Sequence, residues 1–277
     1  MMMVAGCNPA PKNLIAGSKF YTESAVLGEI LAQHVQNKLG MPVDRRAGLQ
    51  GSLMAHQALI SGEIDFYAED AGTAHYSIFR LPLNQDLDMV NSRVALEYQT
   101  MKIRRMASLG YMSSFVVAAS KEMVKASTLS EVEQAGRPVS MSYTMEFEGR
   151  LDGLAALNYG YKLRRNGTAK LVDPNLVADQ VTQKFVQMGV VSTADPVLLD
   201  EKIKLLEDDK KVFASYPVAI VVRERTFANY PELESALKLL EGKLSVETLR
   251  KLNNGVRTRG KTPALVASEF LQQAGLW

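Results

Sequence analysis

Phe115-Val116-Val117-Ala118-Ala119 is an unbroken apolar run of strand length. With no polar residue set aside for solvent, it predicts a strand covered on both faces. Upstream, short apolar runs alternate with amphipathic stretches. A strand is expected over residues 13–17. A helix starts at Thr22-Glu23-Ser24, keeps Val26, Leu27, Ile30, Leu31, Val35 and Leu39 on one face, and stops at Gly40. A strand near Val43, a helix over 52–59, a strand over 64–69 and a long helix through Val90, Val94 and Met101 follow.

Beyond residue 119 the alternation starts again. Helices are expected over 129–134, 146–159 and 176–187, and strands over 170–172 and 189–191. A further apolar strand over 218–222 precedes three helices over 231–240, 245–253 and 263–273. Strand and helix in alternation predict mainly parallel sheets with helices on both faces. The last three helices bring no sheet of their own, so they pack back on the first lobe. The chain then crosses between lobes twice, near 111–114 and near Tyr216. The reading is an α/β clamshell of two lobes joined by two crossover strands: residues 1–12 as leader and tether, 13–112 with 219–277 as lobe 1, and 113–218 as lobe 2. Open α/β sheets bind ligands beyond the carboxyl ends of their strands.

The 277 residues are 47% hydrophobic, enough for a large core, and 32 Lys+Arg against 30 Asp+Glu leave a formal net charge of +2 with the signs mixed. That balance argues against a nucleic-acid partner. The single cysteine, Cys7, cannot form an intramolecular disulfide or a cysteine metal site. It ends Val4-Ala5-Gly6-Cys7, which resembles a lipobox, and Asn8-Pro9-Ala10-Pro11-Lys12 reads as a tether. Lipidation at Cys7 is therefore expected, with translation beginning upstream of Met1.

The sequence resembles the glycine betaine, choline and carnitine binding proteins of ABC importers, the ProX/OsmF type, from about Ile15 to Leu276. The resemblance rests on Gly17-Ser18-Lys19 with Thr22-Glu23, on residues 58–67 (Ala-Leu-Ile-Ser-Gly-Glu-Ile-Asp-Phe-Tyr) followed by Gly72-Thr73, and on Glu146-Phe147 with Arg150, Asp152 and Gly153. Leu206-Glu207-Asp208-Asp209, Phe213 with Tyr216, Pro231-Glu232-Leu233, Leu252-Asn253 and Val266-Ala267 complete the pattern. It implies a type II periplasmic-binding-protein fold, a small-molecule ligand, the membrane subunits of an ABC importer as partners, an envelope location with a lipid anchor, and a monomer. In this family Lys and Arg hold a carboxylate while aromatic rings cage a quaternary ammonium, which cannot donate strong hydrogen bonds and is drawn to ring faces.

The ligand-binding candidates are Lys19, Asp70, Thr73, Ser113, Phe115, Arg150, Ser192 and Tyr216. Lys19 stands between a strand and a helix start, as a ligand or interdomain contact or as a surface lysine. Arg150 matches the carboxylate-binding arginine, against a salt bridge to Asp152 or Glu148. Thr73 is a helix cap or a ligand contact. The cage departs from the family pattern: Asp70 stands where tyrosine is usual, Phe115 replaces a second and Ser192 a third, and Tyr216 alone is kept. Asp70 either caps the next helix or faces the cleft and favours an N–H cation. A betaine-like osmoprotectant is the first ligand class, and another small cation or zwitterion of amine, guanidinium or imidazole type the alternative.

Glu69-Asp70 are neighbours on a strand and so are expected to face opposite ways, and Asp208-Asp209 read as a solvated or hinge-side pair. His34, His56 and His75 have no metal-ligand spacing, and no cofactor motif appears. With no Gly-x-Ser-x-Gly elbow and no cysteine outside the tether, no enzyme is expected.

Overall fold

The computed structural model describes residues 13–165 and 170–277, so Cys7 and its tether lie outside the described residues. The strands are β1 (Leu14–Lys19), β2 (Val43–Leu49), β3 (Phe66–Asp70), β4 (Ile103–Ser113), β5 (Phe115–Ser120), β6 (Met141–Tyr143), β7 (Lys170–Leu171), β8 (Met188–Ser192), β9 (Ile203–Leu206) and β10 (Tyr216–Arg223). They form two five-stranded sheets, ordered β2-β1-β3-β10-β4 and β7-β6-β8-β5-β9.

The sheets are mixed rather than mainly parallel, and the crossings explain why. β5 runs antiparallel to β8 and β9, and β10 runs antiparallel to β3 and β4. These two strands begin where the chain enters from the other sheet, so they run away from the gap between the sheets while their neighbours run toward it. The carboxyl ends of β1, β3, β4, β6 and β8 therefore converge on one gap.

Both faces of each sheet are covered. On the first sheet the helix Thr22–Leu39 buries Val26, Ile30, Leu31 and Val35 completely, in one core with Phe270 and Leu271 of the C-terminal helix Pro263–Gln273. The C-terminal helices thus pack on the first sheet. The opposite face holds Leu59, Tyr67, Val94 and Tyr98. The second sheet has Val117, Phe147 and Leu157 on one side and Ala118, Val181 and Val186 on the other. Each fully buried aliphatic side chain contributes about 1.5–3 kcal/mol.

Three local expectations change. The stretch expected as one helix over 146–159 breaks into Met145–Gly149, Leu151–Ala155 and Ala156–Gly160. Arg150 is extended at the break (φ −85°, ψ 140°), and a Cβ on Gly153 would lie 2.2 Å from the Phe147 carbonyl oxygen. The helix expected over 176–187 ends at Thr182, with Lys184 at φ 60°. Ser113 and residues 216–218, expected in lobe 2, belong to the first sheet: Tyr216 pairs with Ser113 and Val218 with Asp70.

Candidate functional site

The converging strand ends and the helix starts beside them enclose a cavity of about 170 Å³ between the sheets. Lys19, Asp70, Thr73, Ser113, Phe115, Arg150, Ser192 and Tyr216 all line it. Their hydrogen bonds show what each is doing.

Lys19 is 2% exposed, not a surface lysine. Its Nζ donates to both Glu69 oxygens at 2.7 and 2.9 Å and to Ser52 Oγ at 3.0 Å. An ammonium has three donors, so the group expected to hold a ligand anion is fully engaged. Burial lowers the Lys19 pKa, but Glu69 together with Tyr21, Glu146 and Asp70 outweighs it and holds the ammonium well above its usual range. Burial pushes the Glu69 carboxyl up to about 7 against the pull of Lys19.

Glu69 and Asp70 both line the cavity, contrary to the strand-face expectation. β3 ends at Asp70, and the cavity lies beyond the strand end rather than on one face. Asp70 Oδ1 accepts from the Thr73 amide at 2.7 Å, the helix-cap role; among the described residues no hydrogen bond reaches Oδ2.

Arg150 is also buried. Nε and Nη2 donate to the two oxygens of Asp152 at 2.8 and 2.7 Å, and Nη1 donates to Thr73 Oγ1 at 2.8 Å. The fork expected to clasp a ligand carboxylate thus holds Asp152, and Thr73 is its partner across the gap. Three of the five guanidinium N–H groups are engaged. The guanidinium lies 4.7 Å from the centre of the Phe115 ring, which stacks edge-on against Phe147. Tyr216 is 3% exposed and meets Tyr76 edge to face. Gly72 makes room for this layer: a Cβ there would sit 2.3 Å from the Tyr216 ring and 2.8 Å from Arg150 Nη2.

Sequence reasoning missed several lining residues. Tyr21 and Tyr111 add aromatic surface beside Phe115 and Tyr216. Glu23, expected as a helix-start acid and as part of the motif that carries the resemblance, accepts from Tyr111 Oη at 3.1 Å and from Ser192 Oγ at 2.9 Å. Burial raises its pKa against those two hydroxyls. Glu146 accepts from Ser52 at 3.2 Å and from Ser77 at 3.0 Å, while Asn175 Oδ1 accepts from the Thr22 amide and hydroxyl, both at 3.1 Å. Apart from the Tyr111 bond to Glu23, these bonds join the two sheets, over sequence separations of 69 to 169 residues. No local motif marks such pairs.

Comparison with known proteins agrees with this architecture. Residues 12–273 match a family model described as the substrate binding domain of ABC-type glycine betaine transport systems. The ergothioneine transport permease/ergothioneine binding protein EgtU of Helicobacter pylori is 30% identical over 96% of this chain, which spans 48% of that protein's length. A glycine-betaine-binding protein of Pseudomonas aeruginosa is 30% identical over 95% of this chain and 88% of its own. Among solved structures, a glycine betaine/carnitine/choline ABC transporter structure superposes with a TM-score of 0.79 at 21% identity, covering 95% of this chain and 99% of that one. A lactococcal OpuAC in its closed, glycine betaine-liganded conformation superposes with a TM-score of 0.68 at 12% identity, over 96% and 97%; at such identities the likeness speaks for the fold. The two-sheet architecture, the cavity at the strand ends and the match over residues 12–273 place this chain in the family of substrate-binding domains of ABC-type glycine betaine transport systems.

Proposed function

We propose that this protein is the extracytoplasmic solute-binding component of an ABC importer and captures a small quaternary amine or osmoprotectant between two lobes. The observation that carries this reading is the cavity where Tyr21, Tyr111, Phe115 and Tyr216 meet Asp70 and Glu23. Ring faces and nearby carboxylates attract a methylated ammonium that offers no strong N–H donor. Lys19, Thr73, Arg150, Ser113 and Ser192 shape the walls, Lys19 and Arg150 acting through Glu69 and Asp152. The lobes, expected as residues 13–112 with 219–277 and residues 113–218, are then residues 13–113 with 216–277 and residues 114–215, with the passages at Ser114 and ahead of Tyr216.

A ligand that binds only the folded state stabilises it by RT ln(1 + [L]/Kd), about 2.7 kcal/mol at a hundredfold excess over Kd. Scanning calorimetry with choline, glycine betaine and carnitine, each at millimolar concentration, is expected to show a rise in Tm with at least one. No rise with any of them would overturn the reading.

The membrane subunits of the importer are the partner, and the monomer is anchored to the envelope through a lipid on Cys7. This follows from Val4-Ala5-Gly6-Cys7 and the Pro-rich tether. Mass spectrometry of the protein isolated from its native host is expected to show a diacylglyceryl-modified Cys7 as the first residue; an unmodified thiol would remove the anchor from the reading.

A further inference from the structure

Resting on the proposed function, the charge pattern of the cleft narrows the ligand class. The lining holds three cations, Lys19, Arg150 and Arg257, and five carboxylates, Glu23, Glu69, Asp70, Glu146 and Asp195. Each cation is already matched to an acid. Lys19 sits on Glu69 at 2.7 Å, Arg150 on Asp152 at 2.7 Å and Arg257 on Asp179 at 3.0 Å. Lys19 has no donor left, and Arg150 keeps two N–H groups with Glu146 already 3.9 Å from Nη1.

The acids are not balanced in the same way. Glu23 is bound by two neutral hydroxyls, Tyr111 and Ser192, and Asp70 by the backbone amide of Thr73 and no cation. Each Glu23 oxygen accepts one bond from these hydroxyls, and a carboxylate has room for about four acceptor contacts. Both acids thus offer negative charge and spare lone pairs in a half-enclosed space, where charge interactions are stronger than in bulk water.

We infer that the cleft selects a cation without a carboxylate, choline-like rather than betaine-like, and that Glu23 and Asp70 are the specificity-determining residues. The trimethylammonium head is common to both ligands and is served by the rings. The other end separates them. A choline hydroxyl donates to a carboxylate, whereas a betaine carboxylate meets carboxylates and has as cationic answer only the two spare Arg150 N–H groups and those that Arg257 keeps beside its bond to Asp179. Selection here works chiefly by repulsion of the wrong ligand.

Titration calorimetry of the wild-type protein with choline and with glycine betaine tests this, since the two share a head group and differ at the far end. Choline is expected to bind at least tenfold tighter. Glu23→Gln and Asp70→Asn keep the shape, and asparagine keeps the helix cap; each is expected to narrow the choline-to-betaine ratio several-fold. Glycine betaine binding as tightly as choline or tighter would overturn the inference and leave the proposed function standing. A choline preference unchanged in both variants would overturn the assignment to these two acids. If neither compound binds, the inference fails, and the proposed function fails with it when carnitine gives no rise in Tm either.

Discussion

Arg150→Ala is expected to lower the free energy of unfolding by about 3–5 kcal/mol, the range seen when one member of a buried ion pair is removed. Asp152 is 5% exposed and receives two charge-assisted bonds from Arg150; the substitution strands that carboxylate and leaves Thr73 Oγ1 without its donor. The Phe115 ring also loses the guanidinium packed on it. Urea unfolding followed by circular dichroism measures the change. Because the cost comes from the stranded charge, the double variant Arg150→Ala with Asp152→Ala is expected to recover a large part of it. A single-variant loss under about 1 kcal/mol, the scale of an exposed pair, would show that the pair does not act as a buried one.

Lys19→Met is expected to cost a similar amount at pH 8, about 3–5 kcal/mol, and less at pH 5. The sign follows from Glu69, which burial pushes to about 7 even with Lys19 beside it. An acid whose folded pKa lies above its unfolded value of 4.5 favours folding most when protonated, so stability falls as pH rises from 4.5 through the folded pKa. Removing the ammonium raises that folded pKa further and widens the window. Unfolding curves at the two pH values test this, and Glu69→Gln in the same background should flatten the dependence. A loss equal at both pH values would mean that Glu69 is not the group left uncompensated.

The parts of the fold that could be read from the sequence are those set by local pattern. The helix over 263–273 starts at a proline after Thr262, whose hydroxyl accepts from the Leu265 amide, so its start is written in the chain. β5 is legible because it is buried on both faces. β4 is not. Its buried residues Ile103, Met106, Leu109 and Tyr111 are spaced three, three and two apart, closer to a helical rhythm than to alternation. The register irregularities between β4 and β10 account for that spacing. The break at Arg150 was hidden for a different reason. Residues 146–159 have helical composition, and only the close approach of Phe147 to Gly153 shows that the chain turns there.

The site divides in the same way. The strand-to-helix turns at Lys19 and Asp70 to Thr73 were visible as candidates because local motifs mark them. Their true partners were not, since Lys19 reaches Glu69 50 residues away and Arg150 reaches Thr73 77 residues away. Asp152 is the competing partner that the sequence offers for Arg150, and it is the one the fold provides. The bonds of Glu23 to Ser192 and of Asn175 to Thr22 depend on two sheets facing each other, and Tyr111 reaches Glu23 from 88 residues away, neither of which periodicity encodes.

The passage between the sheets is one residue wide on the outward path, since β4 ends at Ser113 and β5 begins at Phe115. The return path, 207–215, is longer, but Tyr161 Oη donates to Asp208 and Asp209, and the Phe213 amide donates to Asp208. Ser114 Oγ then donates to the Ala214 carbonyl at 2.8 Å, tying the two paths to each other. Mechanically this is a door on a single short pin with the second strap bolted to the first. Such a linkage resists sliding and twisting of one half across the other and leaves swinging as its soft direction, with travel that grows with distance from the pin. The contacts far from Ser114 then work as a latch, and those near it as a bearing.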